Sequence, residues 1–106
     1  MRFQLLLALA VLAGTAARAE EVNVALAVRE GGFEPARVET PSGARLRLEV
    51  TNHTPVAIEF ESFELNRERV IPPGQTASVY LSGLAAGQYE FFDDFHPERR
   101  GVLVVQ

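Results

Sequence analysis

The stretch YEFFDDFHPERRGVLVV, from Tyr89 to Val105, contains the features that most clearly indicate the fold and a candidate site. It begins with an aromatic segment, continues through an acidic loop with one histidine, and ends after Gly101 in four apolar residues. This pattern predicts two strands joined by the loop, with a turn at the glycine. Carboxylates and imidazoles are common metal ligands. A loop that contains Asp93, Asp94 and His96 is therefore a compact place to hold a metal ion.

The N-terminus has the features of a secretory signal. Arg2 supplies a positive charge, Phe3–Ala13 is an apolar run, and Ala17–Ala19 fits the small-residue cleavage pattern. The apolar run is shorter than the roughly 20 residues of a membrane-spanning helix. We therefore expect residues 1–19 to be a signal peptide and residues 20–106 to form one exported domain. A retained N-terminal anchor is the alternative.

Composition narrows the range of partners. Residues 20–106 contain eight arginines, no lysine and fourteen acidic residues, which gives a net charge of −6. An acidic surface repels phosphate backbones, so nucleic acid is not an expected partner, whereas cations are. The chain has no cysteine, which excludes both disulfides and thiolate metal ligands.

Apolar and polar residues alternate in several short segments. The clearest is Ala44–Asn52, in which Leu46, Leu48 and Val50 share one face. The same period of two recurs in Glu21–Val28, Val56–Phe63 and Ala77–Leu81. About seven or eight strands at spacings near ten residues, without a helical pattern, predict an all-β sandwich or barrel. Glu64–Val70 fits either a short strand or a turn of helix.

The closing stretch resembles the last ligand loop of the cupredoxins. That loop reads roughly Tyr-x-Phe-x-Cys-x-x-His-x-x-Met-x-Gly and precedes an apolar strand. Four residues of this frame stay in register here, namely Tyr89, Phe91, His96 and Gly101. The resemblance covers most of residues 20–106. It implies a cupredoxin-like Greek-key β-sandwich with a metal at the end that bears this loop.

The departures from the frame change the expected chemistry. Asp93 stands where the copper thiolate would be, Arg99 where the methionine would be, and Glu59 at about the place of the second histidine. Blue copper needs a cysteine thiolate and two imidazoles, so a blue-copper electron carrier is excluded. Carboxylates with one imidazole suit iron, or Cu(II) in a non-blue site without a thiolate.

A narrower resemblance concerns iron. The run Glu59–Glu61, an Arg/Glu-rich segment, Ile71–Gly74 and Phe91–Pro97 resemble small periplasmic cupredoxin-like proteins of bacterial ferrous-iron uptake. These proteins are relatives of the FtrB-type component of ferrous-iron transporters and of the cupredoxin module of EfeO-type proteins. The resemblance implies a periplasmic protein that binds copper or iron. It would assist Fe(II) oxidation before a membrane iron permease takes the ion, together with other periplasmic components.

Six residues are candidate metal ligands on these grounds: Glu59, Glu61, Asp93, His96, Asp94 and Glu68. The two neighbouring aspartates point to different sides, so we expect only Asp93 to face the site. His96 would bind through one ring nitrogen while an acceptor holds the other. His53, in the loop before Pro55, is expected to be exposed to solvent.

The pair Glu59 and Glu61 allows two interpretations, a cation site or a solvated surface. Glu59 and Glu61 share a strand face, with Cβ atoms roughly 7 Å apart. Close like charges repel unless a cation or proton lies between them. The alternative is a solvated outer face that matches Arg45 and Arg47 across the sheet. Glu68 is either a weaker metal position or part of an ion-paired surface with the arginines on either side of it.

Three functions remain open at this level. The first is a copper-dependent ferroxidase, and the second is a copper or iron carrier without turnover. The third is a metal-free interaction domain on a degenerate cupredoxin scaffold. The first two need the same ligands, so the residues alone do not separate them.

Overall fold

A computed structural model describes residues 20–106, and the predicted signal peptide lies outside this range. The described chain forms nine strands in two sheets, without a helix. One sheet has the order β2-β1-β4-β7, with β1 Glu21–Arg29, β2 Gly32–Glu34, β4 Arg45–Asn52 and β7 Thr76–Ser82. The other has the order β3-β9-β8-β5-β6, with β3 Arg37–Thr40, β5 Ile58–Ser62, β6 Arg67–Ile71, β8 Gly87–Asp93 and β9 His96–Val105. The all-β prediction is confirmed.

Two strand pairs are parallel, β1 with β4 and β3 with β9, and the others are antiparallel. The strand count exceeds the expected seven or eight because Phe33 and Val38 belong to separate strands in different sheets. The chain passes from one sheet to the other between them. In residues 20–106, no helix is long and apolar enough to span a bilayer.

The core lies between the sheets and follows the period-two pattern. In β4, Leu46, Leu48 and Val50 are buried. The rings of Phe33 and Phe91 meet edge to face at 4.9 Å, and the ring of Phe60 stacks on Phe91 at 5.4 Å. Such aromatic pairs stabilise a core beyond the apolar area that they bury.

The turn expected at Gly101 is wrong. Gly101 lies within β9, opposite Phe91 in β8. A Cβ atom at this position would lie 2.4 Å from Cε1 of Phe91 and 3.0 Å from the backbone oxygen of Ala36. The glycine is therefore needed for side-chain packing, because only a residue without Cβ leaves space for the phenylalanine ring.

The segment from Glu64 to Val70 is a turn followed by strand β6. Asn66 completes the turn with a φ of 56°, a left-handed conformation that asparagine tolerates better than most residues. Arg67 and Arg69 then reach across to the other sheet. Their guanidinium groups donate hydrogen bonds to the backbone oxygens of Tyr80 at 3.1 Å and Ser78 at 2.9 Å, both in β7.

Arg45 and Arg47 do not match Glu59 and Glu61 across one sheet, contrary to the alternative raised above. The arginines lie in β4 and the glutamates in β5, and these two strands belong to different sheets. Arg45 pairs with Glu21 in β1, and Arg47 with the neighbouring Glu49.

Candidate metal centre

The end of the second sheet brings the predicted site residues close together. Strand β8 ends at Asp93 and β9 begins at His96, so only Asp94 and Phe95 form the connection. The β8–β9 register shifts between Phe92 and Asp93, an irregularity of the kind that redirects a side chain. The backbone N–H of Asp94 donates a hydrogen bond to the backbone oxygen of Glu59 at 2.8 Å, which fastens the turn to β5.

Asp93 points into the sandwich. It pairs with Phe60 in β5, and both side chains are 0% exposed. Its Oδ1 accepts hydrogen bonds from the backbone N–H groups of Glu59 and Phe95, both at 3.0 Å. A carboxylate has about four lone-pair sites, and the two on Oδ1 are thus already used.

The Oδ2 atom of Asp93 meets two side chains. His96 Nδ1 lies 2.9 Å away, and Arg99 Nη1 donates to it at 3.1 Å. Arg99 is only 7% exposed, and its Nε donates to the backbone oxygen of Glu30 at 3.3 Å. The interior therefore contains a buried ion pair, and every lone-pair site of the carboxylate has a donor.

His96 lies at the border between this interior and the solvent, with 31% of its side chain exposed. In the neutral ring, the hydrogen bond to Asp93 places the proton on Nδ1, since a carboxylate only accepts. Nε2 is then left with its lone pair. Asp93 Oδ2 is thus the acceptor that holds the inner nitrogen of His96.

A second group of acids lies on the opposite, outer face of the same sheet. Glu59, Glu61 and Asp94 each offer a carboxylate oxygen, and these three oxygens lie within 4.8 Å of one another. Glu61 is directly opposite Glu68 of β6, so a fourth carboxylate borders the group. We call Glu59, Glu61, Asp94 and Glu68 the outer-face cluster.

The electrostatics of this cluster are unfavourable without a cation. Loss of hydration raises the pKa of Glu61, and the charge of Glu68 raises it further. The same two causes raise the pKa of Glu59, and Asp94 adds to the effect. The neighbouring carboxylates thus make ionisation of Glu59 and Glu61 more costly, as expected for like charges in close contact.

The arginines of residues 20–106 do not neutralise the cluster. Six of the eight pair with other carboxylates: Arg29 with Glu34, Arg37 with Glu39, Arg45 with Glu21, Arg47 with Glu49, Arg99 with Asp93 and Arg100 with Glu90. Arg67 and Arg69 bind the backbone of β7. Ion pairs between these two and Glu68, one of the two alternatives for that residue, are absent from the described chain, because the strand turns Glu68 toward Glu61 and the arginines to the other face.

The structure thus divides the six predicted ligands between the two faces of a sheet. Asp93 and His96 meet inside the sandwich, whereas the glutamates and Asp94 meet outside it. Asp94 therefore takes the place beside Glu59 that was expected of Asp93, because the pairing of Asp93 with Phe60 turns its side chain inward. His53 is exposed, as predicted.

Arg99 was not among the predicted site residues. The ligand-loop frame places Arg99 at the methionine position but does not indicate its pairing with Asp93. The sequence contains a signal for this pairing. Asp93 and Arg99 stand at the cysteine and methionine positions of the same ligand-loop frame. Opposite charges that replace two neighbouring ligands can neutralise each other.

The chain belongs to the cupredoxin-like domain family, which matches residues 2–105. It is also 33% identical over 85 residues to the uncharacterized protein RP394 of Rickettsia prowazekii (strain Madrid E), covering 79% of this chain and 68% of that protein.

Solved structures show the same fold. The metal-binding domain of the Cu(I)-exporting P-type ATPase CopA of Streptococcus pneumoniae D39, with Cu(I), has a TM-score of 0.73 at 14% identity and covers 87% of this chain and 99% of that one. A purple cupredoxin from Nitrosopumilus maritimus has a TM-score of 0.58 at 22% identity and covers 78% and 99%. At these identities the likeness concerns the fold alone.

The interior residues of this chain do not fit a cupredoxin copper ion. The chain has no cysteine, Asp93 has no free lone pair, and the Arg99 guanidinium lies against its Oδ2. A metal would have to displace a buried cation that already balances the charge. The outer-face cluster, with oxygen donors and no counter-charge, fits a cation that prefers oxygen ligands.

Proposed function

We propose that this protein binds a metal cation at the outer-face cluster and handles iron in ferrous-iron uptake. The observation that carries the proposal is the absence of a counter-cation: three carboxylate oxygens lie within 4.8 Å of one another, and the arginines of residues 20–106 are bound elsewhere. A bound cation would relieve the repulsion that raises the pKa of Glu59 and Glu61. The cluster has no imidazole, and its oxygen donors suit a hard cation such as iron better than Cu(I).

Glu61 gives the site part of its rigidity. It is 8% exposed and is flanked by Glu68 and Phe92 on the neighbouring strands. A carboxylate in this position has few rotamers to lose on binding a cation. Asp94 is held by its backbone hydrogen bond to Glu59. The Glu61 carboxylate is thus largely positioned before the ion arrives, which reduces the entropy cost of binding.

The same ligands support oxidation of Fe(II). Negatively charged oxygen donors stabilise Fe(III) more than Fe(II), so they lower the potential of the couple and favour loss of one electron. Dioxygen can accept these electrons: four Fe(II) ions supply four electrons, and dioxygen with four protons becomes two water molecules. In this role the protein would act in the periplasm and pass iron to a membrane permease. A carrier would use the same site without the electron transfer.

A second candidate function is protein binding, and one observation favours it. Phe63 is 77% exposed and packs edge to face on Phe92, which is opposite Glu61. Val70, opposite Glu59, is also exposed. Apolar side chains thus border the acidic cluster on one face, an arrangement typical of docking surfaces. On this alternative the cluster would meet basic side chains of a partner.

Calorimetric titration of residues 20–106 tests the proposal. Fe(II) without oxygen and Cu(II) are titrated in excess Mg²⁺, into the wild-type protein and the E59Q/E61Q variant. We expect saturable binding by the wild type and at least a tenfold weaker affinity in the variant. E34Q/E39Q is the matched control, because it removes two negative charges from other strands. Equal affinities for all three proteins would contradict the proposal and favour protein binding.

Oxygen consumption then separates the oxidase from the carrier. Fe(II) is added in air to the wild type and to E59Q/E61Q, and both Fe(III) formation and dioxygen uptake are followed. An oxidase gives repeated turnover at four Fe(II) per dioxygen, which the variant loses. A carrier binds iron but leaves the oxidation rate at that of the buffer.

A further inference from the structure

The interior end of the sandwich contains a carboxylate, an imidazole nitrogen and a cation in direct contact. Asp93 Oδ2 lies 2.9 Å from His96 Nδ1 and 3.1 Å from Arg99 Nη1. Asp93 is fully buried and Arg99 nearly so. A carboxylate and an imidazole are a common pair of ligands for a divalent metal. Here the cation beside them is part of the chain.

The guanidinium is held firmly. Besides Asp93, it binds the backbone oxygen of Glu30 through Nε, so its position is set from two directions. The other carboxylate oxygen is fixed by the N–H groups of Glu59 and Phe95. Net charge at this position is balanced by one arginine and one aspartate. A buried pair of this kind becomes strongly destabilising only when one partner is removed.

We infer that Arg99 is the resident cation of this interior position and keeps metal ions out of it. The wild-type protein then binds no metal ion at this interior position. Replacing Arg99 by neutral methionine leaves Asp93 with a negative charge and a free lone pair. His96 can then move its proton from Nδ1 to Nε2, and Nδ1 becomes a ligand. The variant therefore acquires an interior Cu(II) site made of Asp93 Oδ2 and His96 Nδ1.

Cu(II) titration of R99M, followed by calorimetry and electron paramagnetic resonance, tests this inference. We expect R99M to bind one more equivalent of Cu(II) than the wild type, with hyperfine coupling to one imidazole nitrogen. The additional equivalent and its coupling should disappear in H96A/R99M. R100M is the matched control, because it removes one positive charge from an exposed ion pair with Glu90. It should bind the same number of ions as the wild type.

A second measurement uses a variant in which the ion pair between Asp93 and Arg99 is intact. H96A alone should bind as many Cu(II) ions as the wild type, because Asp93 holds His96 Nδ1 while Arg99 is present and Nε2 is then only a single imidazole donor at the surface. If R99M unfolds, added Cu(II) should restore its β-sheet circular dichroism, whereas Mg²⁺ should not. The inference is overturned if H96A loses a Cu(II) equivalent. It is also overturned if R99M, folded or unfolded, gains neither binding nor structure from Cu(II).

This inference does not depend on the proposed function. The interior equivalent is removed by H96A/R99M, and the outer-face equivalent by E59Q/E61Q. Failure of one set of variants to change Cu(II) binding thus leaves the result for the other set interpretable.

Discussion

The buried side chain of Asn52 holds the loop before β5 through four hydrogen bonds. Its Nδ2 donates to the backbone oxygens of Val56 and Ile71 at 2.8 and 3.0 Å. Its Oδ1 accepts from the N–H and the hydroxyl of Thr54 at 2.9 and 2.8 Å. All four hydrogen-bonding positions of the amide are used. The loop that leads into β5, and so into the cluster, is therefore held by one residue.

Replacing Asn52 with alanine should lower the free energy of unfolding by about 3 kcal/mol, because it leaves several buried polar groups without partners. Urea denaturation measures the change. The neighbouring H53A is the control, and as an exposed substitution it should stay within about 0.5 kcal/mol of the wild type. Similar values for the two variants would show that the amide network contributes little.

The G101A substitution should also destabilise the fold, by about 1–3 kcal/mol, which is typical of overpacking. The added methyl group would overlap the Phe91 ring, so either the ring or strand β9 must move. G31A is the control, because no atom lies within 4 Å of a Cβ atom there. Thermal unfolding of both variants measures the difference. A wild-type melting temperature for G101A would mean that the ring can rotate away without cost.

Strand β6 connects the edges of the two sheets, a role that its composition does not indicate. It is the edge of one sheet, and its arginines bind the backbone of β7, the edge of the other. Exposed strand edges are templates for pairing with another chain. The two arginines thus close one side of the sandwich and occupy carbonyl groups that a second molecule could otherwise use.

The R67A/R69A variant should therefore self-associate at concentrations where the wild type is monodisperse. We also expect it to lose about 1 kcal/mol of stability, through the lost hydrogen bonds. Light scattering over a concentration series measures association, and R29A/R37A is the control for the loss of two positive charges. These two arginines pair with side chains rather than backbone. Equal association of both variants would assign the effect to net charge.

The sequence predicts most clearly those strands that have one solvent-exposed face and one buried face. In β4 the alternation of leucine and arginine mirrors the burial pattern. In β6 both faces are polar, since Arg67 and Arg69 face β7 while Glu68 faces Glu61. Hydrophobic periodicity has no signal in such a strand. This is why the segment could equally be read as a helical turn.

At the scale of the whole molecule, the outer-face cluster should couple stability to pH. The pKa values of Glu59 and Glu61 are raised above 4.5 in the folded state. The folded protein therefore retains protons that the unfolded chain has lost, and its stability falls as pH rises from about 4.5 through the raised pKa values. Above that window the repulsion is fully present.

Melting temperatures measured across this pH range in metal-free buffer should show a smaller decrease for E59Q/E61Q than for the wild type. Glu39 has a lowered pKa, through Arg37 and Gln106, and works in the opposite direction. The difference between variant and wild type, rather than the wild-type curve, is thus the quantity to compare. Cation affinity should rise with pH over the same window, because protons compete for the carboxylates. Parallel curves for the two proteins would contradict the coupling.

The local pattern of residues was enough to predict an all-β sandwich, the strand pair around Asp93 and His96, and the shared face of Glu59 and Glu61. These features depend on side-chain alternation, which is a property of neighbours along the chain. The ionic partner of a charged side chain, in contrast, is decided by residues that are distant along the chain. The register between β5 and β8 turns Asp93 inward, and the packing of β9 brings Arg99 to it. Three-dimensional pairing thus placed a fixed cation inside the sandwich and left the unneutralised carboxylates outside it.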